Sequence, residues 1–264
     1  RRDVEVGYSH VIIDEFQDIS DARLQLLRAI RSQKPNCKIF AVGDDWQAIY
    51  RFAGSDVTLF TQFAEQFGET AVMRIETTYR FAPPLLDVAS KFILKNPSQY
   101  RKILRAADRQ KRTKLDILPT EAGGEVGQAL KRIAAEGETF VGKRVLILGR
   151  YGHDEKCMAA PQFKLKDAKN RIYEWSDQLS GKVVRASNVQ FMTMHKAKGI
   201  EGEIVILANC GAGRYGMPAE IVDDPMLDML LAKPENHPNA EERRLFYVAL
   251  TRAKERAMIV VPTD

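Results

Sequence analysis

The stretch Val11-Ile12-Ile13-Asp14-Glu15-Phe16-Gln17-Asp18 decides how this chain is read. A short apolar run predicts a strand over Tyr8–Ile13, and the strand ends directly in two adjacent carboxylates. In parallel α/β sheets ligands collect at the C-terminal ends of strands. A pair delivered there can do two jobs. One carboxylate holds a hard cation such as Mg²⁺, and its neighbour orients or deprotonates a water. The plainer alternative is a capped turn, with Asp14 or Asp18 serving the helix that follows.

Working outward, apolar runs of strand length alternate with segments of helical periodicity, which is the pattern of parallel α/β architecture. A helix is predicted over Ala22–Ile30 and a strand over Lys38–Val42, so that Val11 and Ile39 are separated by about one βαβ unit. A helix at Val57–Phe67 and a strand at Ala71–Ile75 follow. Pro83-Pro84 opens a further helix that Asn96-Pro97 closes, since proline is tolerated in a first turn. Val126–Ala135 reads as a helix and Arg144–Gly149 as a strand. Strands are predicted at Val189–Thr193, Glu203–Leu207 and Ala257–Val261, with a helix at Glu241–Ala253. The stretches 100–124 and 151–187 carry no clear period, and the second reads as a loop or small insertion. Two α/β units result, with a junction near Glu76–Pro83.

Composition agrees with a folded protein of this kind. Of 264 residues, 45% are hydrophobic and 28% charged, which excludes disorder and fibrous repeats. No apolar run approaches a membrane span, and Arg1–Val6 lacks the apolar stretch of a signal peptide, so a cytoplasmic protein without a membrane partner is expected. Three scattered cysteines without CxxC spacing read as reduced thiols. The net charge of +5 permits an anionic partner without naming one, but its distribution is uneven: Lys91–Lys114 alone carries +8.

A second dense segment is Ala41-Val-Gly43-Asp44-Asp45-Trp46-Gln47-Ala-Ile-Tyr50-Arg51-Phe52-Ala-Gly54, again at a strand's C-terminal end. Gly43 permits a tight turn, and Gln47 offers a neutral amide that senses a phosphate or a water. Aromatic faces interleaved with Arg51 suit stacking on unpaired bases. For Trp46 and Ile49, core packing is the stronger reading.

Three further segments complete a set of five: Thr77-Thr-Tyr79-Arg80, Phe191-Met-Thr193-Met-His195-Lys-Ala-Lys198-Gly199-Ile-Glu201, and Glu241-Glu-Arg-Arg-Leu-Phe-Tyr-Val-Ala-Leu-Thr251-Arg252-Ala253. In this order they resemble a superfamily one DNA helicase of the UvrD/Rep type, with the second segment nearest in wording to the helicase IV branch. The resemblance implies an α/β, RecA-like P-loop NTPase fold with parallel sheets flanked by helices. Residues 1–78 would be the later part of a first RecA-like domain (Walker B and motif III), and 79–264 the second (motifs IV, V and VI). It implies ATP and Mg²⁺, with Asp14 on the metal, Glu15 activating water, and Gln47, Arg80 and Arg252 on the γ-phosphate, Arg252 as an arginine finger. Tyr79 would stack on adenine, and Gly199 and Glu201 would lie at the nucleotide, Glu201 on the ribose. Tyr50 and Phe52 would stack on DNA bases, with Thr193 and His195 near the strand's backbone. Single-stranded and duplex DNA are the implied partners. His195 also reads as a core or turn histidine, and Arg252 as a neutraliser of a helix C-terminus.

Two parts of the family pattern are missing. Ten residues precede Val11, too few for a GxxxxGK[ST] loop, so the chain reads as a C-terminal portion whose upstream part is its partner. Gly137-Glu-Thr-Phe-Val-Gly142-Lys143-Arg144 mimics that loop, but it follows a helix and enters a strand, the reverse of what a phosphate cradle needs. The roughly 115 residues from Tyr79 to Thr193 leave no space for a large accessory domain. The leading expectation is an ATP-driven helicase or translocase on single-stranded DNA, hydrolysing ATP between two RecA-like domains and inactive as this chain alone. A non-catalytic strand- or partner-binding module is the alternative, and a metal nuclease using Asp14, Glu15, Asp44 and Asp45 is a third class.

Overall fold

The computed structural model describes residues 7–120, 125–221, 226, 231–232 and 235–263. The Arg1–Val6 segment read above for a signal peptide, and the end of the basic stretch at 121–124, lie outside these. The chain divides into two compact units: Arg1–Arg74, Asn96–Arg101 and Val222–Arg244 form the first, and Ile75–Lys95, Lys102–Ile221 and Leu245–Asp264 the second.

In the first unit, β1 (His10–Ile13), α1 (Asp21–Gln33) and β2 (Lys38–Ala41) make one βαβ turn, the two strands pairing in parallel with Val11 opposite Ile39. Leu24 and Leu27 of α1 are buried with Phe16, Ile19 and Phe67. The predicted helix 57–67 is two short ones, α2 (Val57–Thr61) and α3 (Phe63–Phe67), interrupted at Gln62. The interruption lets Phe63 and Phe67 both reach Phe16, at ring centroid distances of 5.2 and 6.4 Å. The strand predicted at Ala71–Ile75 does not form. Val72, Met73 and Ile75 are 72–84% exposed, and among the described residues no strand pairs with this apolar run, so its backbone groups face solvent instead of a ladder.

The second unit opens with β3 (Thr77–Thr78), α4 (Leu85–Ile93) and β4 (Arg105–Ala106), β3 and β4 forming a small parallel pair. Its main sheet comprises β5 (Lys114–Thr120), β6 (Val145–Gly149), β7 (Phe163–Asp167), β8 (Ile172–Leu179), β9 (Lys182–Thr193), β10 (Gly202–Leu207) and β11 (Ala253–Pro262). The spatial order is β5-β11-β10-β6-β9-β8-β7. The first five in that order are parallel, while β8 and β7 continue the sheet as antiparallel hairpins. The central strand β6 is buried along its whole length, as a strand covered on both faces must be. Against the sheet lies α5 (Glu125–Ala135), whose Val126, Ala129, Leu130 and Ile133 recur at helical spacing and are all fully buried. The last helix, α6 (Ala240–Leu250), precedes β11.

Two regions differ from the sequence expectation. The polar basic stretch 100–124 contains the edge strand β5, whose Pro119 removes one ladder donor and is tolerated only at an edge. The stretch 151–187 is neither loop nor insertion without structure: it forms a short 3₁₀ segment, β7, β8 and the first half of β9. Its Trp175 enters the main core at 1% exposure, edge-on to Phe140 at 5.9 Å.

Candidate functional site

In the first unit the chain leaves β1 through Asp14 and turns at Glu15, which adopts a left-handed φ of 51°. The backbone then ties the ends of β1 and β2 together, Val42 N–H donating to Ile13 O at 2.8 Å and Phe16 N–H to Val42 O at 2.9 Å. This lays Asp14–Asp18 beside Gly43–Gln47, two segments about thirty residues apart in sequence.

A continuous line of hydrogen bonds joins them. The Glu15 carboxylate accepts from the Gln17 amide, the Gln17 Oε1 accepts from Asp44 N–H at 2.8 Å, and the Asp44 carboxylate accepts from Gln47 Nε2 at 2.7 Å and from Trp46 N–H at 3.0 Å. Gln17 is fully buried, so its amide has a fixed orientation. Gly43 is required for this approach, because a Cβ there would lie 2.6 Å from Gln17 Oε1 and 2.7 Å from the Phe60 ring. Asp14 and Glu15 are exposed at the head of the line, Asp14 Oδ1 accepting from Glu15 N–H at 2.8 Å. Asp44 enters the sequence expectation only as a carboxylate of the nuclease alternative and Gln17 with no role at all, and no local signal shows that one bridges to the other.

The segment that follows is strapped down within the same unit. Trp46 and Ile49 are completely buried, as core packing predicts, and Trp46 Nε1 donates to Tyr100 O at 2.9 Å. Asp45 is also buried, accepting from Gln99 Nε2 at 2.6 Å and Tyr100 N–H at 2.7 Å. Those bonds occupy the carboxylate that the nuclease reading needed. Arg244, 2% exposed, donates to Ala48 O at 2.5 Å and pairs with Glu235 at 2.6 Å, while Glu241 accepts from Arg51 N–H at 2.9 Å. Burial pushes the Glu241 carboxyl upward despite that bond and two nearby arginines. Tyr50 and Phe52 lie at the end of this strap with rings 6.0 Å apart, and Phe52 is 62% exposed.

In the second unit, Tyr79 directly follows β3 and is 82% exposed, leaving its ring face open. Arg80 donates from Nε to Glu201 Oε2 at 3.0 Å, and Lys254 Nζ meets Glu201 Oε1 at 2.6 Å. Those two hydrogen bonds, Lys254's the larger, hold the Glu201 carboxyl down to about 2. Lys111 braces the segment by donating to the carbonyls of Tyr79 and Arg80. Gly199 sits in a turn at φ 82°, a left-handed conformation that favours glycine. Thr193 ends β9 and His195 follows it, half-buried. Burial first, and the nearby Arg150 second, push the imidazole down to about 4, so it is neutral at pH 7. Arg252 follows α6 and is 2% exposed, its Nε donating to Val248 O at 2.8 Å and its Nη2 to Thr251 Oγ1 at 3.3 Å. The segment that mimics a phosphate loop connects α5 to β6, and its Lys143 pairs with Glu255 at 2.7 Å.

Among the described residues no three histidine, cysteine, aspartate or glutamate side chains group into a metal cage. Mg²⁺ in phosphoryl-transfer sites needs none, since one or two carboxylates plus substrate phosphates and waters complete its shell. The exposed Asp14 carboxylate, placed directly after a strand end, fits that requirement. No helix among the described residues is long and apolar enough to cross a membrane.

Two family models match. Residues 1–68 fit the UvrD/REP helicase N-terminal domain, and residues 169–263 the UvrD-like helicase C-terminal domain. The chain is 38% identical over 249 residues to DNA helicase IV of Escherichia coli strain K12, covering 94% of this chain and 33% of that protein. It is 25% identical over 258 residues to a probable DNA helicase of Mycoplasma pneumoniae, covering 95% of this chain and 43% of the relative. Among solved structures a PRRSV helicase aligns with a TM-score of 0.43 and 14% identity, over 94% of this chain and 34% of that one. The chain thus spans about a third of the length of helicase IV. Its mostly parallel sheet with packed helices, read with the family matches, is a RecA-like fold. With both ends of the family's sequence pattern matched and nearly the whole chain aligned to helicase IV, this chain belongs to the UvrD/Rep helicases.

Proposed function

We propose that this chain is part of an ATP-driven motor that moves on single-stranded DNA, with residues 1–78 the later part of one RecA-like domain and 79–264 the second, without a large accessory insertion. The observation that supports it is the line Glu15–Gln17–Asp44–Gln47, which connects an exposed acidic pair at a strand end to a neutral amide. ATP supplies the phosphoryl bond to be broken and Mg²⁺ neutralises its developing charge. Asp14 holds the metal, and Glu15 orients and deprotonates the attacking water. Gln47 reads the γ-phosphate, and the hydrogen-bonded line through the buried Gln17 carries that reading back to Glu15. Gln17 lets the two groups respond together without a charge passing between them.

From the second unit, Tyr79 stacks on the adenine and Arg80 and Arg252 bind the γ-phosphate, a task suited to a guanidinium because it is always charged and forked. Gly199 and Glu201 lie at the ribose. Tyr50 and Phe52 stack on bases, and neutral His195 with Thr193 contacts the strand's backbone through hydrogen bonds rather than ionic attraction. These 264 residues contain no GxxxxGK[ST], so the chain by itself turns over no ATP, lacking the lysine and amides that cradle the β- and γ-phosphates.

The test compares this chain with the longer polypeptide that carries its upstream residues. The longer protein should show ATP turnover stimulated by single strands, and Arg252→Ala should cut it by about 10³-fold, the low end for an arginine finger, while strand affinity stays within about twofold. A loss of affinity equal to the loss of turnover, or no loss of either, contradicts the motor and favours a binding module. DNA-stimulated turnover by the 264-residue chain alone contradicts the proposal that it is incomplete.

A further inference from the structure

At the C-terminal ends of β6 and β10 the second unit carries a surface cluster that none of the five sequence motifs includes. Tyr151 and His153 stack face to face, with centroids 5.3 Å apart and planes at 7°. Tyr215, from the loop after β10, stands edge-on to both, at 5.8 and 5.5 Å. The Arg150 guanidinium lies 4.7 Å from the Tyr151 ring centre, and that of Arg214 lies 5.4 Å from Tyr215. His153 and Tyr215 are each about half exposed, so the cluster is a surface rather than a core.

The cluster is held rigidly from below. Asp154 is buried, and its carboxylate accepts from Tyr151 N–H at 2.8 Å and from Asn209 Nδ2 at 3.1 Å, tying the loop after β6 to the loop after β10. Gly149 makes room for it, since a Cβ there would lie 2.6 Å from that of Asp154. Beside Tyr215 an open hollow of about 490 Å³ is lined by Asn209, Gly211, Ala212, Gly216 and Pro262, a size within the range of small-ligand pockets. The neighbouring strand end is that of β9: Gly149 pairs with Thr193, and Met194 N–H donates to Gly149 O at 2.8 Å.

We infer that Tyr151, His153 and Tyr215 form a stacking platform for unpaired bases, with Arg150 and Arg214 on the flanking phosphates. The inference rests on the proposed strand binding, because it extends that path from Thr193 and His195 across the adjacent strand ends. A packed core would hide these rings, and a protein-docking patch has no need of two guanidiniums laid over ring faces. A guanidinium on a ring keeps its N–H edge for phosphate while the remaining ring faces receive bases. Pinning by Asp154 fixes the rings before a strand arrives, which lowers the ordering cost of binding.

The experiment measures binding of the 264-residue chain to a fluorescent oligo-dT and to a strand of equal length bearing abasic sites, at fixed salt. The parent should prefer oligo-dT by about tenfold. Tyr215→Ala should reduce that preference to about twofold, Tyr215→Phe should restore it, and Arg214→Gln should lower the salt slope by about one. An unchanged preference in Tyr215→Ala, or a parent indifferent to abasic sites, overturns the platform while leaving the motor intact. A parent that binds neither strand overturns the platform, and the motor reading fails with it if the longer polypeptide also shows no strand-stimulated turnover.

Discussion

The polar groups of the two units are organised by different physics. In the first, Glu15, Gln17, Asp44 and Gln47 are joined by short hydrogen bonds through a buried neutral amide. In the second, Arg80, Glu201 and Lys254 are joined by ion pairs at half-exposed side chains. An amide line transmits orientation: if one group turns, its neighbour must turn to keep its bond. An ion-pair cluster stores charge balance instead, and each member can be exchanged for a phosphate oxygen with little change in geometry. One arrangement suits a group that positions water, the other a group that engages a highly charged ligand.

The comparison is broken most strongly by removing a charge from the second unit. Arg80→Ala in the longer polypeptide should lower ATP turnover by about 10³-fold, the upper figure for losing one charge-stabilising donor. Steady-state phosphate release measures it, and a change under threefold would contradict the role given to Arg80. Next in size is a structural effect. Arg256, 1% exposed, pairs with Asp116 at 2.8 Å, Glu136 at 2.7 Å and Glu138 at 3.0 Å. Arg256→Ala should destabilise the chain by about 3 kcal/mol, the low end for a broken buried pair, because the carboxylates left behind reach solvent. Urea unfolding of this chain tests that, and a cost below about 1 kcal/mol would show the cluster to be dispensable.

Sharpening the first unit calls for a smaller change. Gly43→Ala forces a Cβ against Gln17 Oε1 and should part Gln17 from Asp44. Turnover should fall about tenfold with nucleotide affinity nearly kept, the pattern of a misoriented group rather than a lost one. Equal losses in kcat and in affinity would show that the line positions nothing. The smallest effect is a titration. The Glu201 carboxyl should have a midpoint near 2, and Lys254→Met should move it upward toward the ordinary value of 4.5. Because the folded value lies below the unfolded one, its contribution to stability is complete above about pH 4.5 and disappears as pH falls toward 2. Carboxyl-detected NMR reads the midpoint directly, and one unmoved by Lys254→Met would remove the ion-pair account.

The sequence revealed the first unit's strands because Val11–Ile13 and Lys38–Val42 are apolar and each ends in a distinctive polar segment. It also placed Trp46 and Ile49 in the core, where both are fully buried. It did not reveal Gln17 as a bridge, because the partner amide of Asp44 is 27 positions away and the contact depends on how β1 and β2 align. The run Ala71–Ile75 looked like a strand since strand propensity contains no information about whether a partner exists. β7, β8 and the start of β9 were hidden for the opposite reason. Their polar faces, as in Lys182-Val-Val-Arg-Ala-Ser-Asn188, obscure the inward residues Trp175 and Ala186 that the fold buries. The ring cluster at Tyr151, His153 and Tyr215 joins loops more than sixty residues apart and has no linear signature.

The central claim is that Glu15 heads a line whose purpose is to orient water for ATP hydrolysis. Its most direct test is Glu15→Gln in the longer polypeptide, measured as phosphate release with saturating single strands. The amide oxygen can still accept from Gln17, so the line persists while the base is lost. Turnover should fall by about 10²–10⁴-fold, with ATP and strand binding unchanged. Turnover retained within severalfold of the parent would contradict the account.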